Sequence, residues 1–297
     1  GEVSLKVDIP YGKESTETLN ENKLTYSNHQ YDVQFYPREP EEITEKDEKG
    51  NEHRFTINEQ GGVEFDTIFQ EKPETNVLEF PIETKGLKFY YQPPLTQEEI
   101  DRGMYRPENV VGSYAVYHSE KSGDYSLMGG KNYRAGKAFH IYRPEVIDSL
   151  GKKVWADLFI NEKKGILMVI IPQDFLDNAI YPVTIDPTFG YDTVGLSSSD
   201  GMDGICGTKG TPASSGTAMS ISVYIYDFDP DPKLKSALYT TAQALLSPQT
   251  AEKTPLTAGA WNTTTFTGGP SVTGGTAYYV TFWLGGSAWT TIMYDTG

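Results

Sequence analysis

Three aspartates at alternate positions, Asp227, Asp229 and Asp231, follow a strand-like run and form the clearest candidate for metal chemistry. Calcium takes clustered hard oxygens in a loop, and this spacing supplies them. An EF-hand loop would also need Gly at its sixth position and Glu at its twelfth, where this chain has Pro232 and Leu238. Pro230 restricts the loop further. A solvated acidic turn is the competing reading. Ca2+ is the only cofactor for which the sequence offers a site, and otherwise none is expected.

Aromatic residues suggest a second chemistry. Sugar rings stack on exposed aromatics while polar neighbours hold their hydroxyls. Trp261, Trp283 and Trp289 all lie in the last third of the chain. In the strand-like run 276–284, alternation puts Tyr279 and Trp283 on one face. Tyr278, Val280, Phe282 and Leu284 fall on the other. One face is core; the other is a glycan platform or a packing interface. A third pattern is at the N-terminus, where Val3, Leu5, Val7 and Ile9 alternate with polar residues. Such a strand can be lent to a neighbour's sheet edge to drive assembly. It can equally be the first strand of its own domain.

Catalytic signals are missing. His29, His53, His118 and His140 show no His-x-x-x-His spacing. His140, between Phe139 and Ile141, reads as a packed histidine. Cys206 is the one cysteine, so it forms no internal disulfide, and no histidine lies near it in sequence. There is no Gly-x-Ser-x-Gly elbow and no phosphate-cradling glycine loop. Asp186, before Pro187, reads as a turn former. Paired carboxylates for glycoside hydrolysis are not legible, because they pair in space rather than in sequence. The same holds for isopeptide bonds between Lys and Asn or Asp. No catalytic residue is assigned, and the chain is read as a non-enzyme.

Composition narrows the partners. The net charge is −16, which repels phosphate backbones and anionic bilayers. Nucleic acid is excluded as an expected partner, and no run approaches the roughly 20 apolar residues of a membrane span. The first residue is not Met and no leader is seen, as in a mature or trimmed form, so export cannot be read from this end. With one cysteine the protein is either cytosolic or an exported protein that avoids cysteine, and its Tyr-, Thr- and Gly-rich composition favours the second.

The elements that must position these residues are strands. No 15-residue window carries a helical apolar register, whereas 29 Gly and 18 Pro imply many turns. Apolar and polar residues alternate at 24–27 and 31–36, and further strand-like runs occur at 54–57, 63–69, 77–82, 110–118 and 138–142. The segment 41–50 is acidic and is expected to be an exposed hairpin loop. Thr96-Gln-Glu-Glu99 is a capping box, so a short helix is expected to end at Gly103. The apolar run Ile166–Ile171 is expected to be a central strand, and 172–179 one helical turn. Residues 190–297 hold only four basic and eight acidic residues, and this drop in charge marks a boundary at about 185–200. The fold class is all-β. It has a β-rich region 1–189, from which 1–60 is separable as a third domain, and a sandwich or jelly-roll-like module at 190–297.

Two stretches are familiar. Lys137-Ala-Phe-His-Ile-Tyr-Arg-Pro144, Trp155, Ile171-Pro172 and Tyr181-Pro-Val-Thr-Ile-Asp-Pro-Thr-Phe-Gly190 resemble a junction module. That module belongs to uncharacterised surface or virion-associated proteins of environmental bacteria and phages. The tail, with Lys235-Ser-Ala-Leu-Tyr239, Ala260-Trp261 and Gly275-Thr-Ala-Tyr-Tyr279, is similar to β-sandwich modules appended to secreted proteins. The resemblance implies an extracellular, cell-surface or virion location and brings no catalytic residues. The expected function is a structural subunit of a surface layer, filament or virion that self-associates or joins other surface proteins. The alternatives are a carbohydrate-binding or adhesion module and a polysaccharide-active hydrolase.

Overall fold

The computed structural model describes residues 2–9, 16–28, 31–201, 204–230, 232–286 and 289–297. His29 and Asp231 lie outside them. The fold is all-β: among the described residues, the α-helices are Gln97–Asp101 and Gln173–Asn178. No helix among them is long and apolar enough to cross a membrane. The chain forms two compact units. The larger holds Gly1–Leu95, Arg106–Leu196 and Asp295–Gly297; the smaller holds Thr96–Tyr105 and Ser197–Tyr294.

In the larger unit two sheets enclose one core. Its four-stranded sheet runs Ser4–Val7, Val77–Lys85, Ile166–Ile170, Asp157–Asn161. The apolar run at 166–170 is an inner strand here, as its sequence implies. The larger sheet is built around Gly62–Phe69. Tyr31–Arg38 pairs along one side of that strand; Val183–Asp186 and then Thr188–Gly190 pair along the other. Alternation sends Phe65 and Phe69 inward with Tyr31, Val33, Val183 and Ile185, onto Phe80, Leu158, Leu167 and Val169 of the opposite sheet. Each such side chain contributes about 1.5–3 kcal/mol by leaving water. Glu64 and Asp66 then necessarily point out of the opposite face.

The N-terminal strand Ser4–Val7 pairs antiparallel with Val77–Lys85, from Ser4↔Lys85 to Val7↔Ile82. Val3, Leu5, Val7 and Ile9 pack against the unit's own core. Their apolar face is in use within the chain, so lending this strand to a neighbour would uncover core.

One expectation needs correction. The acidic segment 41–50 is mostly strand: Glu41–Lys46 pairs with Glu52–Ile57, and Ile43 lies opposite Phe55. A two-stranded ribbon leaves its charged side chains in water, so charge density did not oppose pairing. Only the tip turns, where Asp47 Oδ1 accepts from the amides of Lys49 and Asn51 at 2.9 and 2.8 Å. The capping box at Thr96–Glu99 is formed.

The smaller unit is a sandwich. Its five-stranded sheet runs Met104–Tyr105, Ser197–Gly201, Thr290–Tyr294, Ser220–Phe228, Ala260–Thr265. The four-stranded sheet runs Gly204–Gly210, Tyr278–Gly285, Lys233–Thr240, Leu245–Leu246. Val223, Ile225 and Ile292 of the first meet Leu234 and Leu284 of the second. Hydrogen-bonded hydroxyls are buried in the same unit: Thr264 Oγ1 donates to Ser236 Oγ at 2.7 Å, and Ser236 N donates to Thr250 Oγ1 at 2.8 Å.

Candidate functional site

Three places in the molecule concentrate chemistry. The first is on the outer face of the larger unit's main sheet. Registers Tyr36↔Glu64 and Thr188↔Glu64, with Asp66 two residues along, bring Glu64, Asp66 and Asp186 together. One carboxylate oxygen from each lies within 4.8 Å of the others. Although they face away from the core, Glu64 and Asp66 are only 2% and 8% exposed. Tyr36 explains part of this: its hydroxyl donates to Glu64 Oε1 and, at 3.0 Å, to Asp66 Oδ2. Arg38 Nε meets Glu64 Oε2 at 2.9 Å. Asp66 Oδ1 is buried without a hydrogen-bond partner.

One guanidinium against three carboxylates leaves excess negative charge out of water, which protonation relieves. Burial, with Glu64 and Asp66 nearby, pushes Asp186 up to about 8. Burial likewise pushes Asp66 up to about 6, against the Tyr36 hydrogen bond. The cluster can therefore hold protons at neutral pH. Its hard oxygens are also of the type a divalent cation takes, but Arg38 and Tyr36 already engage both oxygens of Glu64. Asp186, expected to form a turn before Pro187, turns its carboxyl to this cluster instead: Val183 and Ile185 face the core, so alternation sends Asp186 to the outer face beside Glu64 and Asp66.

The second place is a buried ion pair. Lys137 Nζ lies 2.9 Å from Asp295 Oδ2, and the side chains are 0% and 2% exposed. The pairing shifts register between Val116 and Tyr117, with Tyr117 opposite Lys137. That bulge turns Lys137 to the sheet face that His140 occupies. Tyr117 donates its hydroxyl to Asp295 Oδ2 at 2.8 Å, Leu196 N donates to Oδ1 at 3.1 Å, and Lys137 Nζ donates to Val194 O at 2.9 Å. Burial alone would raise Asp295; the Lys137 charge, with the hydrogen bonds from Lys137 and the Leu196 amide, together outweighs it and holds the carboxyl below its usual range. Burial, reinforced by Lys137, keeps His140 well below the usual imidazole value and hence neutral. His140 Nε2 sits 2.6 Å from Ser113 Oγ. Sequence had no signal for this pair, whose members stand on segments far apart in the chain.

The third place is the outer face of the smaller unit's four-stranded sheet. Phe282 and Leu284 point into the sandwich, so Tyr279, Thr281 and Trp283 point out. Register extends this face across the neighbouring strands. Trp283 lies between Ile205 and Lys235, and Tyr279 lies between Lys209 and Tyr239. Leu245 stands beside Tyr239. Ile205 is 64% exposed and Leu245 45%. Between the two rows the floor is small: Gly207, Thr281 and Ala237. Two glycines shape the face. A Cβ on Gly285 would fall 2.0 Å from Trp283 Cζ2, so the indole rests directly on that backbone. A Cβ on Gly207 would fall 2.3 Å from Val280 O, so only glycine permits this strand approach.

Electrostatics distinguish the face from the rest of the chain. Gly204–Gly210, Lys233–Thr240 and Tyr278–Gly285 contain no acidic residue, although the chain holds 41. Lys209 and Lys235 form no ion pair among the described residues, whereas Lys233 pairs with Glu252 at 3.1 Å.

The structure brings only part of the proposed aromatic set together. Trp283 and Tyr279 share the face. Trp261, opposite Tyr224 in register, projects from the outer side of the five-stranded sheet. It packs edge-to-face on Tyr224, centroids 5.7 Å apart, with its Nε1 buried and unpartnered. Because the two sheets lie face to face, Trp261 and Trp283 point in opposite directions and do not form one platform. Trp289 precedes Thr290–Tyr294, where its carbonyl accepts from Asp229 N at 3.1 Å. Asp227 is an exposed strand residue whose Oδ1 accepts from Phe228 N at 2.9 Å. Asp227 and Asp229 join no three-carboxylate group among the described residues. Sequence reasoning missed Lys209, Lys235, Tyr239 and Ile205, which become neighbours of Trp283 and Tyr279 only through strand register. Compared with protein-family models and with curated proteins, the chain matches none.

Proposed function

We propose that this is a non-catalytic extracellular surface protein whose smaller unit binds carbohydrate. The supporting observation is the outer face built from Trp283, Tyr279 and Tyr239, flanked by Lys209 and Lys235. An indole held on the Gly285 backbone presents a pre-oriented ring, which lowers the ordering cost of stacking a sugar. Exposed apolar side chains beside it favour contact with a partner over solvent. Affinity electrophoresis of the full chain in gels carrying soluble polysaccharides tests the reading. Trp283→Ala should weaken retardation at least about tenfold with little change in thermal midpoint. A large loss of stability in place of lost retention would assign the ring to packing and sink the proposal.

A second reading, a structural subunit of a surface layer, filament or virion, is favoured by one feature. Gly204–Gly210 is an edge strand that pairs only with Tyr278–Gly285 among the described residues. It carries a single charged side chain, and such an edge invites pairing with another copy. Light scattering on the eluting protein should then show oligomers that Ile205→Lys dissociates; a concentration-independent monomer would count against it.

A further inference from the structure

Resting on the carbohydrate reading above, we infer that the polymer recognised by this face is acidic: a polysaccharide with carboxylate groups spaced one or more sugars apart. The argument begins with charge placement. A chain of net charge −16 has every reason to carry acids on an exposed sheet face, and the three strands here carry none. Lys209 and Lys235 project from the same face as Trp283 and Tyr279, at opposite corners of the small-residue floor.

The geometry favours a polymer of sparse charge. Trp283 and Tyr279 are four residues apart on one strand, about 13 Å at 3.3 Å per residue. Each ring has one lysine directly beside it in register, Lys235 by Trp283 and Lys209 by Tyr279. The lysines lie on opposite flanking strands, so a chain crossing the face meets a ring and a cation, a small floor, then a second ring and cation. A uronate-containing polysaccharide has that alternation of stackable ring and isolated carboxylate. A nucleic acid also offers rings and negative charge, but at one phosphate per roughly 3.4 Å of each strand. That density would engage the acidic remainder of the protein unfavourably. Exposed charges beyond about 8 Å are screened at physiological salt, so the local lysines outweigh the distant acids for a sparsely charged chain.

The test uses the full chain against three probes: hyaluronan, which carries a carboxylate on every second sugar, a neutral β-glucan and single-stranded DNA, each at low and high salt. Hyaluronan should bind, and the neutral glucan at least about tenfold more weakly. Raised salt should weaken the acidic interaction selectively. Lys209→Gln with Lys235→Gln should reduce hyaluronan binding about tenfold and leave any residual glucan binding unchanged. Equal, salt-independent binding of both polysaccharides, unaffected by the double substitution, would overturn the acidic assignment while leaving the carbohydrate reading intact. Binding of neither polysaccharide would overturn both. Preference for DNA over hyaluronan would overturn both in favour of a nucleic-acid partner.

Discussion

The carboxylate cluster of the larger unit and the lysine–aromatic face of the smaller one make an instructive pair. Both sit on the outer side of a β-sheet and both concentrate one sign of charge. Glu64, Asp66 and Asp186 are closed off by Tyr36 and Arg38, and their excess charge is relieved by protons. Lys209 and Lys235 have no carboxylate partner among the described residues and stand beside exposed apolar side chains. Asp66 Oδ1 apart, the first arrangement is satisfied by its own neighbours; the second has no such charge partner among the described residues. Titratable residues gathered in space therefore do not by themselves mark a binding site. What marks one is chemistry left open to a partner.

This contrast can be broken most forcefully at the other internally completed charge, the Lys137–Asp295 pair. Removing one partner strands a buried ion, so Lys137→Met should cost about 3–5 kcal/mol in urea denaturation. Adding Asp295→Leu to that variant should recover much of the loss. If the single substitution has no effect, the pair is not desolvated as the structure shows.

The carboxylate cluster makes a pH prediction next in size. Asp186 and Asp66 have folded values raised to about 8 and about 6, above the ordinary 3.8. The folded state thus holds protons that the unfolded chain releases. The stabilisation from this proton uptake is present in full below about pH 4 and fades as pH rises through 6 and 8. Asp186→Asn mimics the protonated form, flattens this slope and should stabilise the protein at pH 9 by on the order of 2 kcal/mol. An unchanged slope would mean that Asp186 takes up no proton on folding.

Smaller effects sharpen the comparison at the open face. Gly285→Ala places a methyl where the indole of Trp283 rests, so it should lower stability by about 1 kcal/mol and weaken polysaccharide retention several-fold. Tryptophan fluorescence should shift as the ring lifts toward water. The double Lys→Gln variant should lie within about 0.5 kcal/mol of the parent in stability, because the two charges form no ion pair among the described residues. A marked loss would reveal an internal role for them.

How far the sequence was legible varies with the range of the interaction. Residue type and pattern marked 63–69 and 276–284 as strands, observed as Gly62–Phe69 and Tyr278–Gly285, because both signals are local. It also put Tyr279 and Trp283 on one face, which the structure retains. The capping box at Thr96 was readable for the same reason. The acidic stretch 41–50 misled, since charge density reports exposure rather than backbone conformation, and an exposed ribbon satisfies both. Trp261 misled in another way: nearness in composition to Trp283 says nothing about which sheet of a sandwich carries it.

What the sequence by itself determined is the all-β character, the strand faces and the fall in charge along the tail, all consequences of residue type and short-range periodicity. Tertiary structure alone decided which strands became neighbours. Register brought Glu64, Asp66 and Asp186 together, a bulge turned Lys137 onto the face of His140 toward Asp295, and pairing set Lys235 and Lys209 beside Trp283 and Tyr279. The physical reason is that cross-strand contacts join residues far apart in the chain, chosen by burial of whole faces rather than by any local signal.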